Sequence, residues 1–310
     1  MEPTSDLYQA ILARRSVRRY ENRPLSPEAM AQVRAILSQV KPLVPENHFE
    51  VLVRDVEPGE DLTAALGGYG RIVSPPHYLV PYVVGPAVQP CGTRTEVACV
   101  PLHGLTDLGY RTEQIAVQLT RMGIGSCYIG SLGREKAARS RRIADSAGAA
   151  YARIGAFLVF GHPATGLAGR ALNAAMRRAV GATNKLPAER IFFRRRADGT
   201  FDHPAAPPDD LAPLIEAARS APSADNAQPW RFVLADTETL YLLVRRKNPR
   251  YGPGPRQEYR LYDGGICMGN VSLAMEALGM AGSWSLLAEG DPDLPDHPAD
   301  LQPLARLRLM

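Results

Sequence analysis

The stretch Pro222-Ser223-Ala224-Asp225-Asn226-Ala227-Gln228-Pro229-Trp230 decides how the rest of the chain is interpreted. It separates a helix-like run, residues 210–220, from a short apolar run at 232–235. Its serine, asparagine and glutamine favour a tight turn that offers backbone N–H groups and amide side chains. Pro229 stiffens the exit of this turn, and Trp230 adds a large flat apolar face. In isolation the stretch indicates a helix end and a turn, and a binding role depends on the other segments.

The composition indicates an ordinary folded protein. With 310 residues, of which 45% are hydrophobic and 22% charged, the chain can form one large domain or two medium ones. The 36 basic residues exceed the 32 acidic ones by four, a bias that suits a small anionic ligand. Short basic clusters at 139–142 and 194–196 lack interleaved aromatic residues, so we do not expect nucleic-acid binding.

Metal binding, secretion and membrane insertion are not predicted. The four cysteines, Cys91, Cys99, Cys127 and Cys267, form no C-x-x-C pair, and the six histidines form no H-E-x-x-H motif. The first residues contain no apolar signal-peptide core. Apolar runs such as 154–160 are far shorter than the ~20 residues of a membrane span. We therefore expect a cytoplasmic protein without metal, nucleic-acid or membrane partners.

Local patterns predict mixed helices and strands. Apolar spacing, a Ser26-Pro27 helix start and glycine punctuation after Met122 set most boundaries. The expected helices are 6–14, one from Pro27, 61–66, 105–122 and one around 170–179, and the expected strands are 49–53, 78–84 and 152–160.

The second part of the chain repeats the first. A shift of 181 residues places 49–53 over 230–234 without a gap. A shift of 156 places Asp107-x-Gly109 and Gly123 over Asp263-x-Gly265 and Gly279. Because the order of elements and two spacings are shared, we interpret the chain as an internal duplication with halves 1–190 and 191–310.

Four motifs together resemble the nitroreductase superfamily of flavoproteins, and in particular its two-repeat TM-type branch. They are R-R-S-x-R at 14–18, D-x-G followed by G-x-G-S-x-x-I-G between 107 and 130, K-L-P-x-E-x-I-F at 185–192, and P-S-x-x-N-x-Q-P-W at 222–230. The resemblance implies an α+β, nitroreductase-like fold. It also implies that two homologous α/β halves form an intrachain pseudo-dimer, with FMN bound between them.

The resemblance implies a set of cofactor-binding residues. The phosphate would be held by Arg14, Arg15, Ser16, Arg18 and Lys185, with Arg71 a further candidate for the phosphate or ribityl chain. The ring would be contacted by Gly130, Ser131, Pro222, Ser223, Ala224 and Asn226. The alternatives are a solvated basic helix end, a surface arginine at 71 and simple turns at 129–131 and 222–230.

Only one complete set of motifs is present. At the positions that correspond to Ser16 and Arg18, the second half has Ala197 and Gly199. The segment 41–45, which corresponds to 222–226, lacks the P-S-x-x-N pattern, and no K-L-P tail follows the second half. We therefore expect one composite FMN site and one vestigial site in each chain.

The family resemblance implies NAD(P)H-driven reduction of nitroaromatic or quinone-like acceptors. Hydride would pass through flavin N5 in a ping-pong cycle, so no catalytic side chain is required. Two alternatives are a specialised flavin dehydrogenase or oxidase, and a flavin-storing protein in which the basic segment 170–178 covers the site. Tyr110, Cys127, Tyr128 and Trp230 are candidates for the acceptor pocket, although core packing is the better explanation for most of them.

Overall fold

The predicted α+β class is confirmed by the architecture. The computed structural model describes residues 6–57, 59–84, 103–132, 152–179, 181, 183–195, 201–202, 206–287, 294 and 297–310. Its α-helices are α1 (Asp6–Ala13), α2 (Pro27–Ser38), α3 (Thr63–Leu66), α4 (Gly104–Arg121), α5 (Leu167–Ala179), α6 (Ala212–Ser220) and α7 (Tyr259–Leu278). Ser26 caps α2 by accepting a hydrogen bond from the Ala29 backbone N–H, as its sequence predicts.

The first sheet is antiparallel and comes from the first half of the chain. Its strands are β1 (His48–Asp55), β2 (His77–Val84), β3 (Gly125–Gly130), β4 (Ala152–Arg153) and β5 (Ala156–Gly161). They lie in the order β1-β2-β5-β3, with β4 paired beside β5 on β2. The single strand expected at 152–160 is therefore two strands, interrupted at Gly155, where an added Cβ would lie 2.3 Å from the Tyr262 ring.

The second sheet contains β6 (Phe192–Arg195), β7 (Phe201–Asp202), β8 (Trp230–Leu234), β9 (Thr239–Arg245), β10 (Gly282–Leu286) and β11 (Leu301–Leu309). Its order is β10-β11-β9-β8-β6-β7. Strand β6 pairs in parallel with β8. The chain thus enters the second sheet directly after the K-L-P motif, before the second set of helices begins.

The two sheets share one order of strands. In each, two consecutive strands pair, and two of the strands that follow the long helix are added with the later one inside: β1-β2-β5-β3, with β4 off this path, and β8-β9-β11-β10. Along the chain, helix α4 lies between β2 and β3, and α7 lies between β9 and β10. This agreement is what an internal duplication predicts.

Helices α4 and α7 cross at two glycines. A Cβ added at Gly109 would lie 2.1 Å from the Tyr262 carbonyl oxygen, and one added at Gly265 would lie 1.9 Å from the Thr106 carbonyl oxygen. The four residues correspond in pairs under the shift of 156, so the crossing is locally symmetric. Both helices end before a glycine with positive φ, Gly123 (71°) and Gly279 (66°).

A second symmetric contact ties each long helix to a loop. The Leu43 N–H donates to Asp107 Oδ1 at 2.9 Å, and the Ala224 N–H donates to Asp263 Oδ2 at 3.0 Å. Leu43 corresponds to Ala224 under the shift of 181, and Asp107 corresponds to Asp263 under the shift of 156. Segment 41–47 therefore keeps the position of its counterpart although its motif is lost.

The largest buried cluster contains side chains from both halves, including Ile11, Leu108, Trp230 and Val271. Cys127 and Cys267 are free and buried. Cys91, Cys99, the cluster at 139–142, Ala197 and Gly199 lie outside the described residues. Among the helices of the described part, none is long and apolar enough to span a membrane.

We predict that Gly109→Ala and Gly265→Ala each lower the free energy of unfolding by about 3 kcal/mol or more, the upper end for overpacked cores, because the obstructing atoms are backbone. Urea unfolding monitored by circular dichroism measures the change. Gly68→Ala is the control, since no atom lies within 4 Å of its added Cβ. Equal stability of all three variants would contradict the close helix crossing.

Candidate functional site

A cavity of about 950 Å³ lies between the two halves. Most of the residues predicted to bind the cofactor line it, and they come from both halves: Arg14, Arg15, Ser16, Arg18, Gly130, Lys185, Pro222, Ser223, Ala224 and Asn226. Arg71 and Ser131 are not among its lining residues. Arg71 is exposed at the end of the turn 67–71, and Ser131 Oγ donates to the Ile154 carbonyl at 2.6 Å. For these two residues the alternatives, a surface arginine and a structural turn, describe the structure better.

The arginine segment is held by backbone contacts on both sides. The Val17 N–H donates to the Ser126 carbonyl at 2.8 Å, which places residues 14–18 beside the start of β3. Asn173 of α5 is buried, and its Oδ1 accepts from the Arg18 N–H at 3.0 Å and the Arg19 N–H at 3.1 Å. The guanidinium groups are thus carried by a fixed backbone rather than by a frayed helix end.

Three guanidinium nitrogens of this segment are buried without a hydrogen-bond partner in the described structure: Arg14 Nε and Nη1, and Arg18 Nη1. The Arg14 side chain is only 5% exposed. Leaving a charged donor buried and unpaired costs at least 1–3 kcal/mol. Donors of this kind at a cavity wall are suited to an anionic ligand that supplies the missing acceptors.

Beside Arg14 lies a buried carboxylate that the sequence interpretation missed. Glu113 Oε1 is 3.4 Å from Arg14 Nε, and Glu113 Oε2 accepts from the Tyr128 hydroxyl at 2.6 Å. Burial raises the pKa of Glu113 to about 7, against the opposing influence of Arg14, the Tyr128 hydroxyl and Lys185. Its position, two residues after Arg111 on α4, gave no motif by which it could be recognised.

Lys185 is a second cation on the cavity wall, and its side chain is half-buried. Its Nζ donates to the Ala221 carbonyl at 2.6 Å, at the end of α6. Burial, followed by the positive charge of Arg14, lowers the pKa of Lys185 to about 7. An anion in the cavity would favour the protonated form of this lysine.

The turn that follows α6 is bound to the tail of the first half. Asn226 Nδ2 donates to the carbonyls of Gly181, at 2.7 Å, and Asn184, at 3.0 Å. Gln228 Oε1 accepts from the Leu186 N–H at 2.8 Å. The amide nitrogen that the resemblance assigns to the flavin ring is therefore used within the protein, where it fixes the segment that carries Lys185.

Three non-glycine residues of this turn have positive φ: Asp225 (49°), Asn226 (52°) and Gln228 (46°). Contacts on its outer side support this conformation. Arg256 Nη2 donates to Asp225 Oδ2 at 2.9 Å, and Arg250 Nη1 donates to the Asp225 carbonyl at 3.2 Å. The ligand-facing backbone of 222–226 is consequently held from both sides.

Asp107 and Asp263 correspond in position but differ in charge environment. Arg111 Nε contacts both carboxylate oxygens of Asp107 at 3.0 Å, whereas Cys267 occupies the matching position beside Asp263. Asp263 lines the cavity and accepts from the Tyr251 hydroxyl at 2.8 Å. Burial raises the pKa of Asp263 to about 8.

Aromatic residues form much of the remaining wall, namely Tyr69, Tyr128, Tyr259 and Tyr262. Gly130 must be small, because an added Cβ would lie 2.2 Å from the Tyr259 hydroxyl. Cys127 and Tyr128 line the cavity as proposed for an acceptor pocket, whereas Tyr110 does not and Trp230 is fully buried in the core. No sequence pattern distinguished Tyr259 and Tyr262 from ordinary core residues.

Two further expectations concern the surroundings of the cavity. Helix α5, which contains the basic segment 170–178, contributes no residue to the cavity wall in the described structure. It packs on the arginine segment through Asn173 instead of covering the cavity. Among the described residues, no cluster of His, Cys, Asp and Glu could hold a metal ion.

Comparisons with known proteins agree with the fold. A family model described as "Putative TM nitroreductase" matches residues 99–249. A solved structure described as "a putative nitroreductase" from Thermotoga maritima aligns with 98% of this chain and 94% of its own, at 17% identity and a TM-score of 0.54. The chain has the fold of the TM-type nitroreductases. The fold that the motifs' resemblance implies is confirmed.

Other nitroreductase structures match about half of the chain. Nitroreductase A from Vibrio parahaemolyticus covers 52% of this chain and 69% of its own, at 19% identity and a TM-score of 0.39. A Desulfovibrio desulfuricans protein described as "a putative nitroreductase in complex with FMN" covers 52% of this chain and 88% of its own, at 22% identity and a TM-score of 0.38. With TM-scores below 0.5, these two alignments do not define the fold. No curated protein sequence matches this chain.

We predict that Asp263→Asn flattens the dependence of stability on pH. Because the folded-state pKa of Asp263 is about 8 against 3.8 for the free group, protonation stabilises the fold below pH ~4, and this contribution is lost as pH rises towards 8. The slope in this window should become less negative by up to about 1.4 kcal/mol per pH unit. Chemical unfolding at several pH values measures it, with the exposed Asp209→Asn as control; identical slopes would contradict the prediction.

Proposed function

We propose that the chain binds one FMN in the cavity and is an NAD(P)H-dependent oxidoreductase that reduces nitroaromatic or quinone-like acceptors. The observation that carries the proposal is that buried guanidinium nitrogens of Arg14 and Arg18, beside Ser16, have no hydrogen-bond partner in the described structure. A phosphate monoester carries close to two negative charges and supplies the acceptors that these donors lack. Lys185, on the segment 181–185, also lines this cavity.

The remaining wall suits a flat aromatic cofactor. The cavity is at the upper end of the 300–1,000 Å³ range of small-molecule sites, which leaves room for a second planar molecule. Tyr128, Tyr259 and Tyr262 offer apolar faces, and the segments 129–130 and 222–224 offer backbone close to the ligand. When bound, FMN supplies hydride-accepting and hydride-donating chemistry. The protein residues bind, orient and cover it, and no catalytic acid or base is assigned.

The donor and the acceptor would use the same cavity in turn. The sequence contains no G-x-G-x-x-G fingerprint of a separate dinucleotide domain. Tyr69, 44% exposed on the cavity rim, is placed to contact a flat molecule that enters. Two molecules that use one site in turn react in a ping-pong cycle.

We propose that residues 1–190 and 191–310 are duplicated halves that form a pseudo-dimer within one chain, and that the counterpart site binds no flavin. Leu43 and Val44 occupy the place of the P-S-x-x-N turn, and their N–H groups are bonded to Asp107. Arg111 also donates to the Val44 and Asn47 carbonyls, so its side chain fills this region. The function then requires no second chain, and the free, buried Cys127 is compatible with a cytoplasmic location.

Purified protein should be yellow, absorb near ~450 nm and carry at most one FMN per chain, because only one arginine-serine segment and one P-S-x-x-N turn are present. The ratio of released FMN to protein, measured by absorbance after denaturation, checks the stoichiometry. Two flavins per chain, or none after reconstitution with excess FMN, would refute this assignment.

We predict that Arg18→Ala weakens FMN binding about 10- to 100-fold, the loss expected for charge-assisted hydrogen bonds worth 1.5–3 kcal/mol. Arg71→Ala and Arg195→Ala should leave the affinity unchanged, because both side chains are exposed and outside the cavity wall. Fluorescence titration of the apoprotein with FMN measures all three. Equal losses at Arg18 and Arg195 would instead indicate two equivalent sites.

We predict that Asn226→Ala also weakens FMN binding, by releasing the segment 181–185 and with it Lys185. The loss should exceed the roughly 1 kcal/mol of a single neutral hydrogen bond, because two bonds to the tail disappear together. Proteolysis near residue 185 should become faster in the variant. Unchanged affinity together with unchanged proteolysis would contradict the role of this contact.

Anaerobic mixing with NADH and NADPH separates the three enzyme and binding hypotheses. Rapid bleaching of the flavin, reversed by a nitroaromatic or a quinone, is the expected result. Flavin that stays oxidised with both nucleotides but is bleached by another metabolite would favour a specialised dehydrogenase or oxidase. Flavin that neither a nicotinamide nucleotide nor another metabolite bleaches would favour the storage hypothesis. That hypothesis assumed that the segment 170–178 covers the site, whereas α5 does not line the cavity in the described structure.

A further inference from the structure

We propose that Glu113 is a positioning residue that couples anion binding in the cavity to proton uptake. When an anion binds, Arg14 pairs with the anion instead of with Glu113, and Glu113 takes up a proton from solvent. The inference rests on the proposed anion site but not on the identity of FMN. It follows from the contacts of one buried carboxylate and from its absence in the other half.

Glu113 and Arg14 are incompletely paired. Both are almost fully buried, at 0% and 5% side-chain exposure, and Arg14 Nε lies 3.4 Å from Glu113 Oε1 without a hydrogen bond. Glu113 Oε2 accepts from the Tyr128 hydroxyl. Arg14 is therefore close enough to be neutralised by Glu113, while its Nε and Nη1 remain available for an anion.

The carboxylate belongs to the intact site only. Under the shift of 156, Glu113 corresponds to Gly269, which lies opposite it across the helix pair: a Cβ added at Gly269 would be 3.3 Å from Glu113 Cβ. The second half thus lacks both the arginine-serine motif and a carboxylate at the position of Glu113. A structural need of the helix crossing would apply to both helices equally.

The groups that face Glu113 set the direction of the coupling. They are Arg14 beside α1, Tyr128 on β3, Lys185 on the tail, and Tyr262 and Cys267 on α7. A dianion that binds Arg14 adds negative charge next to Glu113 and weakens its attraction to the guanidinium, and both effects favour the neutral acid. The pKa of Glu113, already raised to about 7 by burial, places this change near neutral pH.

Lys185 contributes in the same direction. Its pKa is lowered to about 7, so an anion also promotes its protonation. The wild-type protein would therefore take up protons at both groups. Comparison with Glu113→Gln tests the carboxylate, because the amide mimics the protonated acid while Lys185 is retained. Loss of the Glu113 charge removes one influence that raises the pKa of Lys185, so the variant takes up no proton at position 113 and keeps only the lysine as a titrating group.

The test is the dissociation constant of FMN, and of sulfate as an anion that does not titrate, for wild type and Glu113→Gln between pH 6 and 9. At pH 6 the two proteins should bind equally. At pH 8 the variant should bind about tenfold more tightly, one factor of ten for each pH unit above 7. Calorimetry in buffers of different ionisation enthalpy should show less proton uptake by the variant. Glu276→Gln is the control. Glu276 is an exposed carboxylate on α7 that pairs with Lys41, so this variant should match the wild type at every pH.

Each outcome decides the proposal. Weaker binding by Glu113→Gln at every pH would assign Glu113 a purely structural role, and an affinity ratio independent of pH would also overturn the inference. If sulfate binding shows the expected ratio but FMN does not bind, the coupling stands and the cofactor assignment fails. If neither anion binds the wild type, both are wrong.

Discussion

The structure depends on the close crossing of α4 and α7 at Gly109 and Gly265. Without Cβ atoms at these positions the two helix backbones come into contact. Asp107 and Asp263 lie half a turn away on the same helices, and each anchors a loop by its backbone. The distance between the helices therefore fixes where the loops stand, and with them the opening between the halves in which the cavity lies.

Electrostatic differences separate two regions that share one backbone plan. In the first, Arg111 provides Asp107 with a partner, and its long side chain occupies the adjoining space. In the second, Asp263 accepts hydrogen bonds from the Tyr251 hydroxyl and the Ala224 N–H, and it lines the cavity. The position that holds Arg111 in the first region holds Cys267 in the second, and this is one of the differences between the two regions. Charge placement, more than chain topology, accounts for the asymmetry.

Much of the fold was predictable because short-range patterns in the sequence determine most of its helices. Periodic apolar residues gave most helices, and the repeated Asp107-x-Gly109 spacing marked the two helices that cross. The strand β6 was not predicted, since four residues with two arginines form a strand only because β8 lies beside them. The site was predicted where motifs carry it. Glu113, Tyr259 and the contact from Asn226 to the tail depend on residues distant in sequence, and no local pattern indicates them.

The cavity draws its walls from segments about two hundred residues apart, yet both belong to one molecule. A site assembled from separate subunits loses its far wall when the protein is diluted below the subunit affinity. Here the two walls meet at an effective concentration set by the length of the connecting chain, which does not change on dilution. Dilution of the protein should accordingly leave these two walls together.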